Sequence, residues 1–157
     1  MSRLPRFPVE GRCLCGAASY VLAAPPLAVY ACHCRDCQRF ASGPYAIGII
    51  VNRKDVAFPQ AATLASTERL GESGRTVRQY ACRQCGARLW HEAGHAPGTV
   101  IIRAGTLDDP SWARPVVHTW TRSKLPWVDL GNAVQFSAAA PSREVFYDAW
   151  RVWLDTE

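Results

Sequence analysis

Seven cysteines fall into three close groups: Cys13-Leu14-Cys15-Gly16-Ala17, Cys32-His33-Cys34-Arg35-Asp36-Cys37 and Cys82-Arg83-Gln84-Cys85-Gly86-Ala87. The first and third both end in Cys-Gly-Ala. A glycine directly after the second sulfur suits a tight knuckle, because it tolerates positive φ and lets backbone N–H groups approach the thiolates. Two such knuckles supply four thiolates, the closed tetrahedral set of a structural zinc site. Cys13, Cys15, Cys82 and Cys85 are therefore the expected ligands of one ion, which would staple an early hairpin to the middle of the chain. The bland alternative is that these are buried free thiols acting as small hydrophobes.

The middle group offers three thiolates, Cys32, Cys34 and Cys37, and no obvious fourth cysteine. Zinc wants four ligands, and catalytic zinc sites usually take three from the protein. The fourth position would then be open to water or to a substrate thiol. Two other readings compete. A histidine or carboxylate closes the site, His33 being nearest, although its place between two ligands turns its side chain the other way in extended chain. Alternatively, Cys34 and Cys37 form a redox C-x-x-C, but the βαβ surroundings of a thioredoxin-like motif are missing. His91-Glu92-Ala93-Gly94-His95 matches H-E-x-x-H, the zinc-protease pattern. That chemistry needs a helix, whereas Ala87–Trp90 reads as a strand, and Gly94 with Pro97-Gly98 opposes helix. The segment is read as a turn between strands.

The elements that must position these groups belong to one 157-residue chain of ordinary globular balance, 48% hydrophobic and 20% charged. Short apolar runs recur at Ala17–Leu22, Ala28–Cys32, Tyr45–Val51, Thr63–Ser66, Thr76–Ala81, Thr99–Ala104 and Val116–Trp120, with breakers such as Pro25-Pro26, Gly71–Gly74 and Ala96-Pro97-Gly98 between them. This pattern predicts a mainly β fold, a sandwich or an open barrel-like sheet. A helical turn is expected near Arg35–Phe40. A C-terminal helix is expected over about 142–154, with Ser142 as cap and Val145, Phe146, Ala149, Trp150 and Trp153 at helical spacing. Residues 1–10 read as an N-terminal arm and 11–157 as a single zinc-binding domain.

Sixteen of the eighteen basic residues are arginines, scattered along a chain of formal charge +5. The plain reading is a solvated basic surface; the functional ones are an anionic small ligand, since arginine suits carboxylates through its bidentate fork, or a nucleic-acid backbone. Nucleic acid is the disfavoured alternative, since there is no basic tail and no aromatic–basic recognition motif. No run of about 18 apolar residues is present, so no membrane span is expected. The N-terminus lacks the apolar stretch of a signal peptide. The expectation is a cytoplasmic protein, where thiols stay reduced and paired cysteines point to metal rather than to disulfides.

These motifs resemble those of the glutathione-dependent formaldehyde-activating family, which includes the centromere protein V type. The resemblance is carried by Cys13-Leu14-Cys15-Gly16, by Cys32-His33-Cys34-Arg35-Asp36-Cys37 with Gly43, and by Cys82-Arg83-Gln84-Cys85-Gly86. Gly105-Thr106-Leu107-Asp108-Asp109-Pro110, His118 and Ser123-Lys124-Leu125-Pro126-Trp127 extend it, so that it runs from about Gly11 to about Trp127. It implies an Mss4-like zinc-stapled β fold. It also implies two zinc ions, a structural one on Cys13, Cys15, Cys82 and Cys85 and a catalytic one on Cys32, Cys34 and Cys37. The implied activity is a carbon–sulfur lyase reaction interconverting S-(hydroxymethyl)glutathione with glutathione and formaldehyde. Arg35, Arg39 and Lys124 are then candidates for the carboxylates of a small thiol such as glutathione, and His118 is a candidate base. The rival class is a zinc-stabilised binding module for nucleic acid or protein, without catalysis.

Overall fold

The computed structural model describes residues 3–156. In chain order the strands begin with β1 (Val9–Arg12), β2 (Ser19–Leu22) and β3 (Ala28–Cys32), after which comes helix α1 (Arg35–Ala41). Strands β4 (Ala46–Asn52), β5 (Val56–Ala57), β6 (Leu64–Leu70), β7 (Thr76–Cys82), β8 (Arg88–Ala93) and β9 (Thr99–Arg103) follow. The chain closes with β10 (Val117–Thr119), β11 (Val134–Gln135) and helix α2 (Glu144–Asp155). The mainly β chain with a C-terminal helix read from the pattern of apolar runs is the architecture adopted.

The strands form two sheets. A small one has the order β1-β2-β5, and a large one the order β11-β10-β3-β4-β9-β8-β7-β6. The long run from β3 through β6 is antiparallel, while β10 joins β3 in parallel. Register places Val29, Ile49, Ile102 and Trp90 in one row across four strands, all of them buried. This face makes the core with Tyr20 and Leu22 of the small sheet. Each such buried side chain contributes roughly 1.5–3 kcal/mol.

Because side chains alternate along a strand, the other face carries Tyr30, Cys32, Ile50, Ile101 and His91. Helix α2 covers part of it, with the Phe146 ring edge-on to Tyr30 at 5.2 Å. Gly48 lies in this face between them. A Cβ there would sit 2.6 Å from Ile101 Cγ2 and 2.8 Å from the Tyr30 ring, so glycine is what lets these side chains meet. Helix α2 begins later than the apolar pattern suggests, and Ser142 does not cap it. Arg143 holds the cap position in helical conformation with no side-chain cap bond. The Glu144 carboxylate is held instead by its own N–H and by the Ser142 side chain, which keeps that acid ionised to lower pH.

At the other end, Phe7 of the expected N-terminal arm packs edge-on to Trp112 and Arg3 lies over Trp153; residues 1 and 2 of that arm are outside the described residues. Among the described residues no helix is long and apolar enough to cross a membrane.

Candidate functional site

The two Cys-Gly-Ala segments fold as twins. In the first, Cys13 N–H donates to Ala18 O and Gly16 N–H to Cys13 O; in the second, Cys82 N–H donates to Ala87 O and Gly86 N–H to Cys82 O. Gly16 and Gly86 have φ of +78° and +73°, the left-handed region the sequence reading assigned to them. No atom lies within 4 Å of an ideal Cβ at either glycine, so only the backbone conformation demands glycine there. Gly86→Ala is therefore expected to cost about 1–2 kcal/mol through φ alone, with metal content unchanged, as read by thermal melting alongside metal analysis.

The twin turns bring four sulfurs together. Cys13 Sγ lies 3.6 Å from Cys15 Sγ, which lies 3.7 Å from Cys82 Sγ, and all four ligand atoms of Cys13, Cys15, Cys82 and Cys85 fall within 4.8 Å of one another. These separations are far too long for a disulfide. They match the ~3.8 Å between ligands of a tetrahedral ion with ~2.3 Å bonds to sulfur. Ala18 N–H points at Cys13 Sγ from 3.3 Å. The N–H groups of Ala87 and Cys15 pull the Cys85 thiol down to about 6, so the thiolate a metal needs is already favoured.

Cys32, Cys34 and Cys37 form the second cluster, their sulfurs also within 4.8 Å of one another. Cys32 ends β3, and Cys34 caps α1 by accepting from Cys37 N–H at 3.3 Å. Hydrogen bonds from the Cys32 and Cys37 thiols, and from the backbone of Cys37 and Asp36, draw the Cys34 thiol down to about 2. The same contacts push Cys32 up, since it donates to its neighbours. This donor set fits a soft, thiophilic cation, and no fourth cysteine joins it among the described residues. Two carboxylates do approach: an oxygen of Asp36 and one of Glu72 lie within 4.8 Å of Cys34 Sγ and of each other. Asp36 is committed, accepting from Arg69 at 2.9 Å and from Glu72 N–H at 3.0 Å. Glu72 has only a loose ion pair with Arg122, at 3.6 Å. Sequence reading treated Gly71–Gly74 as a breaker and missed Glu72 within it.

His33 is turned away from the sulfurs. It is buried, and its Nε2 lies 2.8 Å from His118 Nδ1, one ring donating to the other. Burial, helped by His118 and Lys124, lowers His33 to about 4. His118 pairs with Ala31 in the sheet while Thr119 pairs with Cys32, so alternation puts His118 on the face opposite Cys32. His91 stands in β8 and not on a helix, and His95 meets Arg75 at 3.0 Å, so H-E-x-x-H forms no metal site here.

The three cations nominated from sequence are differently disposed. Arg35 donates to Gln38 Oε1. Lys124 Nζ donates to the carbonyls of Leu125 and Val128, at 3.2 and 2.7 Å. Arg39 is exposed. Gln38 secures the region instead, donating to His33 O and Ser123 O at 2.7 and 2.8 Å. A cavity of about 430 Å³ reaches Cys32 along the face that also carries Tyr30, His91 and Thr119.

A model of the family described as glutathione-dependent formaldehyde-activating enzyme matches residues 8–123, spanning both cysteine centres. A crystal structure of a Rhodobacter sphaeroides protein is similar in fold, with a TM-score of 0.50 at 19% identity, covering 81% of this chain and 98% of that one. No curated protein matches the chain. With the family match extending over most of its length and both cysteine sets gathered in space, the chain belongs to the glutathione-dependent formaldehyde-activating enzyme family.

Proposed function

We propose that the chain is a carbon–sulfur lyase that interconverts S-(hydroxymethyl)glutathione with glutathione and formaldehyde. In this reading Cys32, Cys34 and Cys37 hold a catalytic zinc, and Cys13, Cys15, Cys82 and Cys85 a structural one. The observation that carries it is a cluster of three sulfurs, without a fourth cysteine, beside a cavity that reaches Cys32. When bound there, zinc supplies a position at which a sulfur is held as thiolate at neutral pH.

The chain's own residues account for the rest. The N–H of Cys37 points at the Cys34 sulfur from 3.3 Å and favours its anion. Breakdown of the adduct moves the hydroxyl proton to a base, makes the carbonyl of formaldehyde, and sends the C–S bonding pair to sulfur. Glu72 is the carboxylate suited to take that proton, being close to Cys34 and less committed than Asp36. Asp36, through Arg69 and the Glu72 N–H, orients the loop that carries it. The His33–His118 pair forms the dry backing of β3 and β10 and keeps both rings neutral.

Cobalt loaded at the Cys32 cluster should show stronger sulfur-to-metal absorption as glutathione is titrated in, reading entry of a fourth sulfur. A spectrum indifferent to every thiol would overturn the reading and favour a zinc-stabilised binding module. Glu72→Gln should retain this spectral response and lower lyase turnover about 100-fold, the usual worth of a positioned base.

A further inference from the structure

The cavity that reaches Cys32 has one wall from outside the family match. Its floor is the sheet face with Tyr30 and His91, while residues 139–144 and Phe146 close it from the other side. This segment is anchored to the matched region by backbone bonds. Trp120 N–H donates to Ala138 O at 2.9 Å, Thr121 N–H to Phe136 O at 3.1 Å, and Phe136 N–H to His118 O at 2.9 Å. Trp120, a lining residue, takes φ of +58° at this seam. Such a conformation in a non-glycine residue costs of order 1–3 kcal/mol and persists only where its surroundings impose it.

The chemistry of the lining is specific. Arg75, from the turn before β7, and Arg143, before α2, both border the space, and neither enters a salt bridge among the described residues. Arg75 meets only His95, whose ring both guanidiniums hold below its ordinary pKa after burial has acted. Glu144, the one acid of the lining, is held by its own N–H and by Ser142, and also feels the charge of Arg143. His91 adds a buried Nδ1 without a hydrogen-bond partner. The space thus has two guanidiniums outside any salt bridge, one on the His95 ring and one beside Glu144, and an unsatisfied ring nitrogen, on an apolar floor. At about 430 Å³ it is of small-molecule size.

We propose that this cavity binds the carboxylate-bearing end of an acidic thiol, with Arg75 and Arg143 as its recognition residues, so that the C-terminal segment helps choose the substrate. The inference rests on the lyase reading for the thiol end, and deepens it.

Calorimetric titration of the zinc-loaded protein separates the two. Three probes are used: glutathione, S-methylglutathione, which keeps the carboxylates and blocks the thiol, and 2-mercaptoethanol, which keeps only the thiol. Arg75→Gln and Arg143→Gln should each weaken both peptides about tenfold, as for a lost charged hydrogen bond, and leave 2-mercaptoethanol unchanged. Arg143→Lys should lose less than Arg143→Gln, having kept its charge. Thermal melts and zinc content certify that each variant is folded. Peptide affinity unchanged in both glutamine variants, or an equal fall for 2-mercaptoethanol, would overturn the proposal. Wild-type protein that binds glutathione no more tightly than S-methylglutathione would instead overturn the lyase reading, and the arginine dependence would still judge the cavity.

Discussion

Cys13→Ser and Cys85→Ser are each expected to abolish the cooperative thermal transition and to leave the chain unfolded at 37 °C. The four sulfurs join two turns that share no strand pairing, one leading into the small sheet and one between β7 and β8. A structural zinc contributes on the order of 10 kcal/mol to folding in small zinc domains. Whole domains of this size are stable by only about 5–15 kcal/mol. Losing one thiolate of four thus removes most of the margin. Circular dichroism melts with metal analysis check this, and a variant melting within a few degrees of wild type would show that the four-sulfur centre is dispensable.

Cys34→Ser should behave in the opposite way. Zinc should fall from two ions per chain to one, and lyase turnover by about 100-fold or more, since even changes to the outer partners of metal ligands cost 10–100-fold. The melting temperature should move by only a few degrees. The reason lies in α1. Cys34 accepts from Cys37 N–H at the helix cap, and serine is among the best residues for that position. The substitution therefore removes the proposed zinc ligand and keeps the cap. Full zinc retention, or collapse of the fold, would contradict the division of labour between the two centres.

How much of this was legible beforehand depends on how local each feature is. The twin knuckles were readable because five or six consecutive residues set each turn, and Gly16 and Gly86 adopt the positive φ their position demands. Strand β3 was read to the residue because its apolar run lies within the segment, and the turn expected near Arg35–Phe40 is α1, one residue longer. The edge strands β1, β5 and β11 were missed, being two to four residues long with little alternation to detect. The strand order was not readable at all, because β3 finds its parallel partner β10 about 85 residues away, the separation of the His33–His118 bond.

The same holds for the site. Its sulfurs cluster in sequence and were found. Arg75 and Arg143 come to one cavity only through the pairing of β6 with β7 and the path of the C-terminal segment, and Glu72 reaches Cys34 from the turn between the same two strands. Lys124, singled out for its place in the family motif, is bound to two main-chain carbonyls, a contact that no spacing announces.

The four-sulfur centre also orders events during synthesis. Cys15 and Cys82 are 67 residues apart. A ribosome adding roughly 5–20 residues per second takes some 3–13 s to cover that gap. Through that interval the first knuckle lacks Cys82 and Cys85, and its two thiols hold an ion far less well than four. Capture of an ion by all four sulfurs would thereby wait until Cys85, just beyond β7, has emerged. With zinc at this centre, the nascent chain would depend meanwhile on a reducing milieu, and metal scarcity would be felt as a delay in maturation before it was felt as a loss of activity.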